Sequence, residues 1–185
     1  IIVCKTCHEL GHALVATHFG VRVGHMGIAL MVLWPMLYTD VGESWKLRSA
    51  RQRLAVSVAG VGCELVLAGL ATLAWALLVD GPARQAALYA ATTGLVVSLA
   101  INASPFMRFD GYFILSDLLD IPNLHERSGN LARNWLRNRL FGWQETDTES
   151  FSRQMRFWLI LFAFMTWCYR LVVFAGIAAA VYFFF

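Results

Sequence analysis

Apolar residues fall into four blocks along this chain: Ile1 to about Phe19, Leu54 to Val79, Ala86 to Met107, and Phe157 to Phe185. Within them the polar face of a soluble amphipathic helix is missing. The second block holds one charge, Glu64, the third none, and the fourth only Arg170. A helix half-buried in a soluble core keeps charged positions on its outer side, so blocks without them predict membrane-spanning helices. Three blocks are long enough to span. The first reaches its polar cluster after only seven residues, roughly 10 Å of helix against a hydrocarbon core of about 30 Å. It spans only if further sequence precedes Ile1, and such sequence is expected. No signal-peptide pattern is visible. The second block stops at Asp80-Gly81-Pro82, and Pro105 interrupts the third near its end.

The intervening stretches predict further elements. Val23 to Tyr38 is apolar with scattered glycines and one proline, which suits strands or a re-entrant piece shielded by protein. Between Gly129 and Trp143, Leu131, Trp135, Leu136 and Leu140 recur at helical spacing opposite Arg133, Arg137 and Arg139. That pattern predicts a helix on the inner membrane surface; a solvated helix packed on a soluble domain fits it too. The expected fold is an all-α membrane protein of about four transmembrane helices. A partly buried β or re-entrant loop follows the first, and an interfacial helix precedes the last. All of 1–185 is expected to form one integral-membrane domain: a first helix (1–19), the loop (20–53), transmembrane helices (54–79 and 86–107), a cytoplasmic segment (108–156) and a final transmembrane helix (157–185).

Composition agrees. The 185 residues are 58% hydrophobic and 15% charged, with mean hydropathy +0.58. Soluble domains run nearer 45–50% apolar and about 25% charged, so the lipid bilayer is the expected environment. A formal net charge of +3 gives no reason to expect nucleic acid. The basic residues have a topological use instead. If all four blocks span, the loops Gly20–Arg53 and Arg108–Arg156 share a side and hold twelve of the fifteen Lys and Arg residues, whereas Asp80–Gln85 has only Arg84. The positive-inside rule places the two long loops in the cytoplasm.

The chemistry lies in His8-Glu9-Leu10-Gly11-His12. Positions four apart on a helix differ by about 40° around the axis, so both imidazoles project from one face and can reach a single Zn²⁺. Glu9 then stands beside the metal, where a carboxylate can take a proton from polarised water. An accidental match with two satisfied histidines is the bland alternative. Ionisable groups clustered between Ile1-Ile2-Val3 and Ala13-Leu14-Val15-Ala16 are costly unless they bind something.

A hydrolytic zinc site needs a third protein ligand and one open position. His18 lies six residues beyond His12, but Val15 continues the helix between them. His18 is thereby carried about 240° round and roughly 9 Å along, out of reach of the same ion. Asp110 is the better candidate. Pro105 breaks the third block at membrane depth, and Gly111 permits a tight turn directly after the carboxylate. Asp40 and Asp117 are the reserve carboxylates.

Taken together, H-E-L-G-H in a first hydrophobic block and N-x-x-P-x-x-x-x-D-G at the end of a later one resemble the site-2 protease family of intramembrane zinc metalloproteases. The likeness runs from about Cys4 to Tyr112 and is to a compact bacterial relative of the family without a PDZ domain, since the outer loop Asp80–Gln85 is too short to hold one. It implies one Zn²⁺ per chain held by His8, His12 and Asp110, with Glu9 as the catalytic base. Asn102 would help hold the substrate backbone or the developing oxyanion. The apolar loop would be a membrane-embedded β-loop that binds an extended substrate by strand addition. The implied activity is hydrolysis of membrane protein or peptide substrates, in a bacterial cytoplasmic membrane, with the site toward the cytoplasm. Two departures stand out. Met107 replaces a second proline, and Ala59-Gly60-Val61-Gly62-Cys63-Glu64 stands where the family has A-G-P-x-x-N. Glu64 could face the zinc cavity or pair with Arg170.

Two other functions compete. Cys4-Lys5-Thr6-Cys7-His8 spells the C-x-x-C-H attachment signature of a c-type haem electron carrier, which leaves Glu9, His12 and Asp110 unexplained. A catalytically silent, transporter-like relative would use Glu64 and Arg170 in an ion path, but no inverted repeat relates the two halves.

Overall fold

In the computed structural model, residues 2–31, 34–94, 100, 102–142 and 151–184 are described. Residues 95–99 and 101 of the third apolar block, Trp143 of the expected interfacial helix, and Ile1 and Phe185 lie outside them. The described chain is mostly helical and divides into two compact units, Ile1–Asp120 and Ile121–Phe185.

The first unit opens with α1 (Ile2–His18), whose polarity is inside out. His8, Glu9 and His12 are buried with Gly11, Ala13 and Ala16, while Ile2, Val3 and Leu14 are at least two-thirds exposed. A helix that hides its ionisable groups and shows its aliphatic ones is built for an apolar surround. At 17 residues it extends about 25 Å, short of a full hydrocarbon core.

The expected loop contains an antiparallel hairpin, β1 (Met26–Met31) and β2 (Trp34–Thr39), with Met26 opposite Thr39 and Met31 opposite Trp34. Val21 of the loop is buried, and Val23, Gly27, Leu37 and Thr39 are half-buried. Met26, Ile28, Leu30 and Tyr38 are all exposed, because a two-stranded ribbon covers neither of its own faces. A 3-10 turn (Gly42–Lys46) leads to α2 (Ala50–Leu77), which starts four residues before the apolar block. Val56 on α2 packs with Ala16 and Val21, and Val15, Phe19, Val41 and Leu47 surround them.

The end of α2 is held by Arg84, which donates to the Trp75 carbonyl (3.2 Å), pairs with Asp80 and stacks on the Trp75 ring. Pro82 then occupies the first turn of α3 (Pro82–Tyr89), where its missing N–H costs nothing. The third block is therefore helical from Pro82 rather than Ala86, and it widens to π geometry at Ala90–Gly94. There Thr92 bonds back to the Leu88 carbonyl, a contact that loosens a helix. Asn102 is again helical, turns occupy 103–109, and α4 (Asp110–Leu119) follows. Arg53 ties α4 to α2: Nε donates to Asp117 (3.2 Å) and Nη2 to Asp120 (2.5 Å), and Ser57 adds a 2.9 Å bond to Asp117.

The second unit is a pair of packed helices, α5 (Leu124–Phe141) and α6 (Arg153–Phe184). The basic helix begins at Leu124, five residues before Gly129, and Gly142 ends it in the left-handed conformation. Leu124, Leu131 and Ala132 are buried, with Leu159 and Ala163 of α6, whereas Leu140 and Phe141 are exposed. His125 stacks on Phe162, and Arg170 lies 3.2 Å from His125 Nδ1.

Among the described residues, α2 and α6 are the helices long and apolar enough to cross a membrane. Leu65, Val66, Leu70, Leu73 and Leu77 on α2, and Leu171, Val172 and Phe174 on α6, are more than half exposed. A soluble core helix would cover such side chains; here they form the surface, which supports a membrane protein.

Candidate metal centre

Helix α1 sets His8 and His12 one turn apart on its buried face, and α2 packs directly against that face. The helices approach closely because both carry glycine at the contact. A β-carbon on Gly11 would come within 2.6 Å of Cys63 Sγ and 2.9 Å of the Ala59 carbonyl oxygen. One on Gly60 would collide with Nε2 of both His8 and His12. Asp110 arrives from the far end of the unit at the start of α4. A β-carbon on Gly111 would strike the Ala103 carbonyl. Gly111 thus serves a close approach between α4 and the preceding turn, rather than the tight turn expected from sequence, and it has no positive φ.

The result is a triangle of ligand atoms. Nε2 of His8 and Nε2 of His12 are 3.2 Å apart. Asp110 Oδ2 lies 2.9 Å from the former, and Oδ1 lies 3.3 Å from the latter. Donors bound to one Zn²⁺ at roughly 2.0–2.1 Å lie about 3.3 Å from one another; the spacings here are of that size, with Asp110 meeting the two histidines through different oxygens, and one atom from each residue lies within 4.8 Å of the others. Asp110 Oδ2 is buried without a hydrogen-bond partner. A cation held by these three residues would satisfy that oxygen and both nitrogen lone pairs together. His8, His12 and Asp110 are the group among the described residues whose donor atoms can hold one metal ion.

Each histidine is also held from behind. His12 Nδ1 is 2.8 Å from the Val56 carbonyl, so it donates there and Nε2 is left with the lone pair. His8 Nδ1 lies 2.9 Å from Glu64 Oε1, and Glu64 is 1% exposed. That contact was open in the sequence, where Glu64 could equally have met Arg170. The available signal was its place one turn after Gly60.

Glu9 stands beside the triangle, Oε1 4.0 Å from His8 Nε2 and 3.7 Å from Lys5 Nζ. Its backbone carbonyl accepts from Thr39 Oγ1 at 3.2 Å, which fastens the end of β2 to the histidine helix. Asn102 is buried; its amide nitrogen is 3.5 Å from Glu64 Oε1 and its oxygen accepts from Lys5 Nζ at 3.5 Å. Neither Lys5 nor Thr39 was singled out from sequence, since nothing local marks them.

The remaining candidates lie elsewhere. His18 is exposed against Phe19. Asp40 faces His25 and the Gly42 amide, and Asp117 is taken by Arg53 and Ser57. Cys4 and Cys7 are free thiols.

The sequence model of peptidase family M50 matches residues 1–98. The chain belongs to that family. It is the family of the site-2 proteases, whose members are zinc-dependent metallopeptidases. The match takes in His8, Glu9, His12 and Glu64 but ends before Asn102 and Asp110, so the third ligand rests on geometry. No solved structure is a significant match to the chain.

Proposed function

We propose that this chain is an intramembrane zinc metalloprotease of the site-2 type, hydrolysing peptide bonds of membrane-associated proteins or peptides. The observation that carries the reading is the convergence of His8, His12 and Asp110, one donor atom from each within 4.8 Å of the others, in a metallopeptidase family member. Those three residues would hold one Zn²⁺, a Lewis acid that polarises the scissile carbonyl and acidifies water.

The chain's own groups supply the rest. Glu9 takes the proton from the attacking water and returns it to the leaving amine. The Lys5 ammonium, 3.7 Å away, steadies the carboxylate between those transfers. The hairpin, tied to the Glu9 backbone through Thr39, offers open strand edges to an extended substrate. A helical substrate has to unwind first, because its carbonyls are already hydrogen-bonded. Asn102 directs its amide at Glu64, so the geometry favours a supporting role for it over contact with substrate. The positive-inside count places the site toward the cytoplasmic face.

Metal analysis of the purified full chain, paired with cleavage of a membrane-reconstituted substrate library, tests this reading. About one zinc per chain, and cleavage abolished by chelation and restored by zinc, are expected. A folded chain that takes up no zinc removes the foundation.

A further inference from the structure

The proposed reaction leaves one buried carboxylate without a task. Glu64 is the sole charge between Leu54 and Val79, and its side chain is fully buried. A carboxylate in that position is costly unless specific partners compensate it. Its partners form a chain. Oε1 is 2.9 Å from His8 Nδ1, a close contact off the line of a hydrogen bond, and accepts from the Asn102 amide at 3.5 Å; Asn102 in turn accepts from the Lys5 ammonium.

We propose that Glu64 is a positioning residue for the metal centre: it keeps the His8 proton on Nδ1 and the ring turned so that Nε2 presents its lone pair to the metal. Asn102 and Lys5 hold Glu64 for this task. The proposal rests on the metalloprotease reading.

The two histidines face the same problem and meet it differently. A neutral imidazole has one donor and one acceptor nitrogen, and an acceptor placed behind one nitrogen decides which is which. For His12 that acceptor is the Val56 carbonyl, supplied by the backbone of α2. Glu64 fills the equivalent place for His8, two turns further along the same helix. Glu64 does not itself belong to the converging ligand atoms.

The test compares Glu64→Met, which keeps volume and suits an apolar helix, with Glu64→Gln, which keeps an acceptor oxygen. Zinc affinity of the detergent-solubilised full chain is measured by competition with a chromophoric chelator. The visible ligand-field spectrum of the Co²⁺-loaded protein is recorded alongside. Loss of the partner behind a metal-bound histidine typically weakens affinity roughly 10–100-fold. That loss, with a shifted Co²⁺ spectrum, is expected for Glu64→Met, and Glu64→Gln should recover most of both. Should Glu64→Met fail to fold, Asn102→Leu removes the amide that holds Glu64 and links it to Lys5 while leaving the Glu64 carboxylate, and a several-fold loss with a spectral shift in the same direction is expected. Folded variants with wild-type affinity and spectrum overturn the proposal, as does a Gln variant no better than Met. A wild-type chain that binds no zinc instead overturns the metalloprotease reading, so the two failures are distinct.

Discussion

Gly60 of α2 lies against His12 of α1 so closely that a β-carbon there would collide with the imidazole Nε2, and the same β-carbon would meet Nε2 of His8. The space that Gly60 leaves is therefore the space in which the two nitrogens can share an ion. Gly60→Ala should overpack it at a cost of about 1–3 kcal/mol, lowering zinc affinity at least about fivefold. Gly62→Ala is the control, since its β-carbon would meet nothing within 4 Å. Equal zinc binding by the two variants would remove Gly60 from the account of the site.

Glu9→Gln keeps the shape of the side chain but cannot accept the proton. Removal of a general base typically costs 10²–10⁴-fold in rate, so turnover should fall by roughly that factor while zinc content stays near wild type. Cleavage kinetics and metal analysis on one preparation check it. Near-normal turnover would show that another group is the base.

Asp110→Ala should weaken zinc binding and activity together, because it opens the triangle that His8 and His12 alone cannot close. His18→Ala should change neither, as His18 is exposed and faces Phe19. The reverse pattern would return the third-ligand question to His18.

Arg53 donates to Asp117, to Asp120 and to the Leu47 carbonyl, and so fastens the helix that begins with Asp110. Hydrogen bonds to charged partners contribute about 1.5–3 kcal/mol. Arg53→Ala should accordingly lower the thermal midpoint of the solubilised protein and weaken zinc binding through Asp110. Arg53→Lys should recover little, since an ammonium lacks the planar fork. An unchanged midpoint in Arg53→Ala would mean that the clamp adds nothing.

Lys46 and Gln85 flank α2 and are both exposed. In a background without Cys4, Cys7, Cys63 and Cys168, Lys46→Cys should be labelled only with cytoplasmic access and Gln85→Cys only from outside. Ser128, although in a basic segment, is buried and would report nothing. Labelling of Lys46→Cys from outside intact cells inverts the topology and the side of substrate entry.

Much of the centre was written into one helical turn. His8, Glu9 and His12 are local neighbours, and a helix of 3.6 residues per turn places them on one face whatever surrounds it. The apolar blocks at α2 and α6 were equally plain, since the lack of charge over twenty or more residues is a local property. Tertiary structure decided whatever depends on which distant surfaces meet. Asp110 joins His8 across some hundred positions only because Gly111 lets α4 approach Ala103 and Arg53 secures its other end. Glu64 could have faced Arg170 or the metal until α2 was seen to cross α1 at Gly60, and that crossing turned it to His8. The hairpin's exposed residues followed the same logic: an apolar stretch with glycines and a proline suggests strands or a re-entrant piece, but burial belongs to whatever packs on them.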